Sequence, residues 1–402
     1  MKHIYLFMNN CCAFNYGVGT YIQKILKFLN QIDCNVTLIY FNNEVFTLTI
    51  RVNNMYRIIE IPSLEFENKE KYSNRFLKYI SYLLRFYINK EEDNIFHFNF
   101  YEHLELAKML KIHYKYCHIL FSVHYLNWLI NVKGDMRKLH GILTSDKDPK
   151  TPFEQKIFYD YHQNMCFFNL ADKIICLSKY TQSLLNKYSQ IDLNKLEIVY
   201  NGCELNTNKI DNKCSLALKS KYLIDSKEKV VLFVGRLVCA KGVDYLIDAF
   251  KIVLESCQNV RLLIVGDGNY NLCLEKSINI WSKVTFTGKV SQKILFELYQ
   301  LADVGVLPSF CEQCSYTAIE MIMNGLPFIS TSSTGIKEMM IGNIENIVEL
   351  SYDNDDVCVP IDELAQKIIL NLNSPKKKNL SFQSKYSLEC MRTKIIYLYK
   401  NL

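Results

Sequence analysis

Two cysteines and two carboxylates crowd the segment PSFCEQCSYTAIEMIMNGLP, residues 308–327. Cys311 and Cys314 make a C-x-x-C pair, and Glu312 and Glu320 stand eight positions apart. A C-x-x-C ahead of a helix can be a thiol redox centre, because a helix N-terminus favours the thiolate. Glu312, lying between the cysteines, would push the other way and raise their pKa values. A zinc site would need two further ligands, and the chain holds no second C-x-x-C and no paired histidines. The cysteines therefore read as a redox or metal candidate set against plain loop filler.

The carboxylates lead elsewhere. VGVLPS reads as a strand and SYTAIEMIMNG as a helix, closed by Gly325 with Pro327 beyond it. FCEQC is then the loop at the strand's carboxyl end, where doubly wound sheets bind their ligands. The N–H groups of Ser315, Tyr316 and Thr317, with the positive end of the helix dipole, suit phosphate oxygens without a metal. A carboxylate does not belong against phosphate, so Glu312 and Glu320 need hydroxyl partners. Glu320, about a turn and a half into the helix, would reach a ribose. Glu312 would face the group on the other side of the phosphate. Such a constellation fits a nucleotide-sugar better than a bare nucleotide. Upstream, VLFVGRLVCAKGVDYLI ends a strand at Gly235 and presents Arg236 and Lys241 before the next helix. Two cations there would neutralise a diphosphate and stabilise it as a leaving group. The alternative is two solvated surface charges.

These residues need a scaffold, and the chain's patterning describes one. Strand-like runs HIYLFM, VTLIYF, IFHFNF, HILFSVH, KIICLS and LEIVYNG form one series; VVLFVGR, RLLIVGDG, VTFTG, VGVLPS and PFIST form a second. Helical segments such as 242–257 and 291–301 separate most of them. That alternation predicts an α/β protein of two doubly wound, Rossmann-like domains facing across a cleft. The boundaries fall at 1–203 for an N-terminal domain and 227–382 for a C-terminal domain. A polar linker region covers 204–226, and a helix at 383–402 can pack back on the N-terminal domain.

Composition narrows the class. At 402 residues and 49% hydrophobic content the chain can fill two cores. No apolar run approaches the roughly 18 residues of a membrane span, and the start reads as a first strand rather than a signal peptide. The 15 cysteines, an odd number with no secretory signal, predict reduced thiols and a cytoplasmic protein. A formal net charge of +6 is mild at this length. It suits an anionic ligand or membrane surface and is no nucleic-acid signature.

Arg236 and Lys241 in GRLVCAKG, followed by ADVGVLPSFCEQCSYTAIEMIMNGLP with its E-x7-E spacing, resemble the donor domain of family-4 (group 1) retaining glycosyltransferases of GT-B fold. The resemblance extends over most of the chain. YGVGTYIQKIL is similar to the glycine loop after the first strand of the acceptor domain, and FSVHYLNW to the strand that delivers a histidine to the cleft. ADKIICLSKYT and VYNG resemble that domain's last elements. The resemblance implies transfer of a hexose from a nucleoside-diphosphate sugar, with retention of anomeric configuration, no enzymic nucleophile, and no cofactor or required metal. It implies Arg236 and Lys241 on the donor diphosphate, and the N–H groups around Ser315, Tyr316 and Thr317 on phosphate or sugar. Glu320 would bind ribose and Glu312 the hexose. Gly17 and Gly19 would let the backbone approach the phosphates closely, and His124 would sit beside the reacting sugar. Closure of the domains on the donor is implied too. Where the family often reads E-G-F-G, this chain reads Glu312-Gln313-Cys314-Ser315. Losing both glycines bulks the wall beside the sugar and bears on which hexose fits.

Plainer rivals stand beside these roles. His124 could be a satisfied core histidine, and Gly17 and Gly19 an ordinary turn and helix start. The stretch 71–90 places Tyr72, Phe76, Tyr79, Leu83 and Phe86 at helical spacing, with Lys71, Arg75, Lys78 and Arg85 on one flank. It reads either as a domain helix packed on its sheet or as a helix in a membrane interface. The second would suit a lipid-linked acceptor and a position peripheral to the inner face of the membrane. The family's commonest implication is a polysaccharide or lipid-linked glycan acceptor. A peptide and a sugar phosphate are alternatives, and a non-catalytic GT-B partner protein is a different class of function.

Overall fold

The apolar runs pair into two parallel sheets in the computed structural model, which describes residues 2–10, 16–42, 44–52, 55–62, 69–144, 151–189, 191–205, 210–353 and 356–402. For residues 69–73 it describes the backbone alone, so the side chains of Lys71 and Tyr72 lie outside the described residues. The chain packs into two compact units. The first comprises Met1–Asn127, Lys147–Asn201 and Met391–Leu402; the second comprises Trp128–Asp146 and Gly202–Cys390.

The first unit is built on β1 (Lys2–Asn9), β2 (Asn35–Asn42), β3 (Thr49–Val52), β4 (Arg57–Pro62), β5 (Asp93–Phe98), β6 (Cys117–Val123), β7 (Lys173–Cys176) and β8 (Leu196–Ile198). Their order is β3-β4-β2-β1-β5-β6-β7-β8, parallel except where β3 runs against β4. The central strands β1, β5 and β6 are buried along nearly their whole length. Helix-covered parallel strands require this, and it explains why their sequences are continuous apolar runs. Helix Gly17–Leu29 follows β1 and buries Val18, Tyr21, Ile22, Ile25, Leu26 and Leu29 at three- and four-residue spacing. The C-terminal helix, Leu388–Asn401, buries Met391, Ile395, Leu398 and Tyr399. Lys2 donates to the carbonyls of Tyr399 (3.1 Å) and Lys400 (2.8 Å), placing a cation at the negative end of that helix.

The second unit holds β9 (Lys229–Val234), β10 (Val260–Val265), β11 (Val284–Gly288), β12 (Val304–Leu307), β13 (Phe328–Thr331) and β14 (Ile347–Val348), ordered β11-β10-β9-β12-β13-β14 and parallel throughout. A two-stranded antiparallel ribbon, β15 (Ser351–Asp353) with β16 (Asp356–Cys358), follows.

The units depart from the sequence-drawn boundaries in three places. Trp128–Asp146, expected in the N-terminal domain, packs with the second unit. The Tyr352 hydroxyl donates to the Lys133 carbonyl at 3.3 Å, and Lys133 ion-pairs with Asp356. The stretch 204–226 is no plain linker. It carries helix Asn212–Lys221, capped by the Asp211 carboxylate, and buries Leu218, Tyr222 and Ile224. Nor is 383–402 one helix. Leu380–Lys385 and Leu388–Asn401 are separated by a break, where Cys203 N–H donates to the Tyr386 carbonyl at 2.9 Å. Only Met391–Leu402 belongs to the first unit. Among the described residues, no helix is long and apolar enough to cross a membrane.

Candidate functional site

In the second unit β9 and β12 are parallel neighbours, so the loops after them leave from the same edge of the sheet. Arg236 and Lys241 lie on the first loop and Glu312 on the second. The first loop makes one 3-10 turn, Cys239–Lys241, ended by Gly242 in the left-handed region at φ +64°. A Cβ at Gly242 would fall 2.2 Å from the Pro308 carbonyl oxygen, so only glycine lets this turn lie against the end of β12. The Phe310 N–H then donates to the Ala240 carbonyl at 3.0 Å. Lys241 pairs with the Glu312 carboxylate, and both side chains are largely buried. The backbone of Glu312 is clamped from its other side. Thr334 Oγ1 accepts from the Glu312 N–H at 2.8 Å and donates to the Glu312 carbonyl, which also accepts from the Gly335 N–H at 2.7 Å. The sequence suggests separate partners for Lys241 and Glu312; in the structure they are partners of each other. An ammonium has three N–H groups and a carboxylate about four acceptor positions, so the pair still leaves both able to meet a ligand.

Helix Tyr316–Met323 begins at Ser315, whose hydroxyl accepts from the Ala318 N–H at 3.4 Å. Tyr316 and Thr317 form its half-buried first turn. Glu320, on the second turn, is buried. Its Oε2 accepts from the Tyr299 hydroxyl at 2.8 Å and its Oε1 from Gln292 Nε2 at 3.2 Å. Burial first, and then the Glu320 charge, push the Tyr299 hydroxyl well above its ordinary pKa, so it remains a donor. Sequence reasoning missed Tyr299 and Gln292. Their one signal is a seven-residue spacing that puts both on one face of helix Gln292–Leu301. Arg236, half-buried just past β9, lies at the same sheet edge.

The cysteines fit the filler reading. Cys311 and Cys314 are free thiols. Burial, then the Glu312 charge, push Cys311 up to about 12, which leaves it protonated and poorly nucleophilic at neutral pH. Neither belongs to a group of three or more potential metal ligands among the described residues.

The remaining sequence candidates lie in the first unit. His124 directly follows β6 and is half-buried. Its Nε2 bonds Asn99 Oδ1 at 2.9 Å, and its ring meets that of Tyr21 edge to face, with centroids 4.6 Å apart. Burial pushes His124 down to about 3, so the ring is neutral at physiological pH. Gly17 and Gly19 are the first and third residues of helix Gly17–Leu29, whose N-terminus has no side-chain cap. His97 is fully buried, with Nε2 2.7 Å from Ser122 Oγ and Nδ1 2.5 Å from the Tyr399 hydroxyl. His103 bonds Asn9 Oδ1 through Nε2 at 2.6 Å.

The stretch 71–90 packs as a domain helix on its inner face. Helix Lys69–Leu84 and the turn after it bury Leu77, Ile80, Leu84 and Ile88, with Phe76 and Leu83 half-buried. Tyr79, Tyr82 and Phe86 stay exposed beside Arg75, Lys78 and Arg85. Ile112 and Tyr116, at the end of helix Leu104–His113 and just beyond it, are exposed as well.

Comparison with known proteins agrees with this architecture. Residues 216–383 match the model for glycosyl transferases group 1, and residues 16–207 match that for glycosyltransferase family 4. An uncharacterized glycosyltransferase of Methanocaldococcus jannaschii is 26% identical over 330 residues, 69% of this chain and 81% of the relative. A D-inositol 3-phosphate glycosyltransferase of Segniliparus rotundus is 24% identical over 189 residues, only 45% of this chain and 42% of the relative. The solved sucrose-phosphate synthase of Thermosynechococcus elongatus superposes with a TM-score of 0.74 at 16% identity, covering 100% of this chain and 99% of that one. With one model on each half of the chain and this fold throughout, the protein belongs to the group 1 glycosyltransferases of GT-B fold.

Proposed function

We propose that the chain transfers a hexose from a UDP- or GDP-sugar to an acceptor hydroxyl with retention of anomeric configuration, in polysaccharide or lipid-linked glycan synthesis at the cytoplasmic side of a membrane. The observation that carries this reading is the convergence, at one sheet edge, of the Lys241–Glu312 pair, the start of helix Tyr316–Met323 and the anchored Glu320. Arg236, Lys241 and the helix N-terminus take the diphosphate and stabilise it as it leaves. Glu320 accepts from the ribose hydroxyls and Glu312 from the hexose. Gly17 and Gly19 give the backbone close approach to phosphate, and His124 meets the reacting sugar. No side chain is assigned as nucleophile, and no metal or cofactor is required. A second reading, a phosphorylated acceptor, takes its support from the similarity to the D-inositol 3-phosphate glycosyltransferase of Segniliparus rotundus.

The test is release of nucleoside diphosphate from UDP-glucose, UDP-galactose, UDP-N-acetylglucosamine and GDP-mannose, with and without EDTA. Glu320→Ala is expected to lower donor use by about ten- to a hundredfold, from loss of charged hydrogen bonds worth roughly 1.5–3 kcal/mol each. Glu320→Gln keeps an acceptor for Tyr299 and separates loss of binding from loss of packing. A Cys311→Ser/Cys314→Ser double variant is expected to keep its activity, as is wild type in EDTA. Unchanged turnover in both Glu320 variants would remove the carboxylate's assignment.

A further inference from the structure

We infer that Asn99 is a positioning residue that sets the tautomer of His124 and makes its ring a hydrogen-bond acceptor toward the substrate. The second half of that inference rests on the proposed contact between His124 and the reacting sugar; the first half does not. Asn99 lies one residue past β5, the strand between β1 and β6, and is buried at 1% exposure. Its amide bridges both neighbours. Nδ2 donates to the Phe7 carbonyl of β1 at 3.4 Å, and Oδ1 stands 2.9 Å from His124 Nε2. A backbone carbonyl only accepts, so the NH2 group must face Phe7 and the amide oxygen must face His124. An amide oxygen also only accepts, so Nε2 must carry the hydrogen of the neutral ring. Nδ1 is then left with a lone pair, and it has no partner among the described residues.

The neighbouring histidine shows the contrast. Both ring nitrogens of His97 are engaged inside the protein, by Ser122 and Tyr399. Ser122 Oγ also lies 2.9 Å from the Tyr21 hydroxyl, and the Tyr21 ring is the one that packs edge-on against His124. His97 thus braces the wall behind His124. Asn99 decides what His124 offers in front: an acceptor for a sugar or acceptor hydroxyl rather than a donor to one.

The test compares full-length wild type with Asn99→Leu, Asn99→Ser and Asn99→Asp by ¹⁵N NMR of the histidine ring nitrogens, using His124→Gln to assign the signal. Turnover of the four nucleotide-sugars is measured alongside. Wild type is expected to show His124 protonated at Nε2 and bare at Nδ1. Asn99→Leu should give mixed tautomers and lower kcat about tenfold with KM little changed, the size of one lost hydrogen bond. Asn99→Ser serves where the Leu variant does not fold, because a hydroxyl can donate or accept and so permits both tautomers. Asn99→Asp, whose carboxylate still only accepts, should keep Nε2–H and recover most of the lost kcat. A wild-type ring protonated at Nδ1, or a tautomer unchanged by Leu and by Ser, overturns the role of Asn99. A changed tautomer with unchanged kcat upholds Asn99 as the tautomer-setting residue and overturns the substrate contact of His124.

Discussion

Gly242 illustrates how much of the candidate site hangs on single positions. Its left-handed backbone and the 2.2 Å approach that a Cβ would make to Pro308 are what seat Lys241 against Glu312. Gly242→Ala should lose about 1–2 kcal/mol from the left-handed conformation alone. The clash with a backbone oxygen adds to that, because no flexible side chain is there to yield. Thermal denaturation should show a lowered melting temperature, and donor turnover should fall with the displaced ammonium. A variant that melts and turns over like wild type would mean that the loop takes this path for another reason. Glu320 makes a related point. Its bond with the buried Tyr299 hydroxyl makes it part of the core as well as a proposed ligand contact, so Glu320→Ala must cost some stability.

At the scale of elements, parallel strands bring distant loops to one edge. Residues 236–241 and 312–320 meet only because β9 and β12 are neighbours, although β10 and β11 intervene in the chain. Helix Lys69–Leu84 shows the complementary case, an element whose inner face is used for packing and whose outer face is not. Phe86 and Ile112 are 84% and 86% exposed, and Arg75, Lys78, Arg85 and Lys90 are exposed in the same stretch as Phe86. Basic residues near an anionic bilayer contribute about 1 kcal/mol each. Co-sedimentation with phosphatidylserine-containing vesicles at low salt is therefore expected, with much weaker binding to phosphatidylcholine vesicles and to Phe86→Ser/Arg85→Ser. Wild type that stays in the supernatant with anionic vesicles would dispose of the membrane reading.

For the molecule as a whole, the end of the chain is part of the beginning. Met391–Leu402 belongs to the first unit, where Tyr399 meets His97 from 302 positions away in sequence. Tyr399→Phe leaves His97 Nδ1 buried without that partner and should cost about 1–3 kcal/mol. Urea unfolding should register the loss as a lower midpoint with unchanged slope, because the compactness of either state is not altered. A midpoint equal to wild type would show that the Tyr399 hydroxyl contributes nothing to holding the first unit.

Two kinds of information are separable here. The strands of both sheets and most of their helices could be read from local pattern, because a strand buried on both faces has to be a continuous apolar run. The edge strands Thr49–Val52 and Ile347–Val348 escaped, as did Arg57–Pro62 beside the first, since they are short or broken by charge and carry no such run. E-x7-E, R-x4-K and the glycine that follows them were equally readable, because each is a local spacing that a loop or helix start imposes. What only the tertiary structure decided is which of those groups meet. Lys241 bonds Glu312, Tyr299 and Gln292 anchor Glu320, and Asn99 faces His124, each across strands or helices that pack together in three dimensions. Local periodicity reports which face of an element is apolar; it is silent on what that face, or the loop beyond it, will touch.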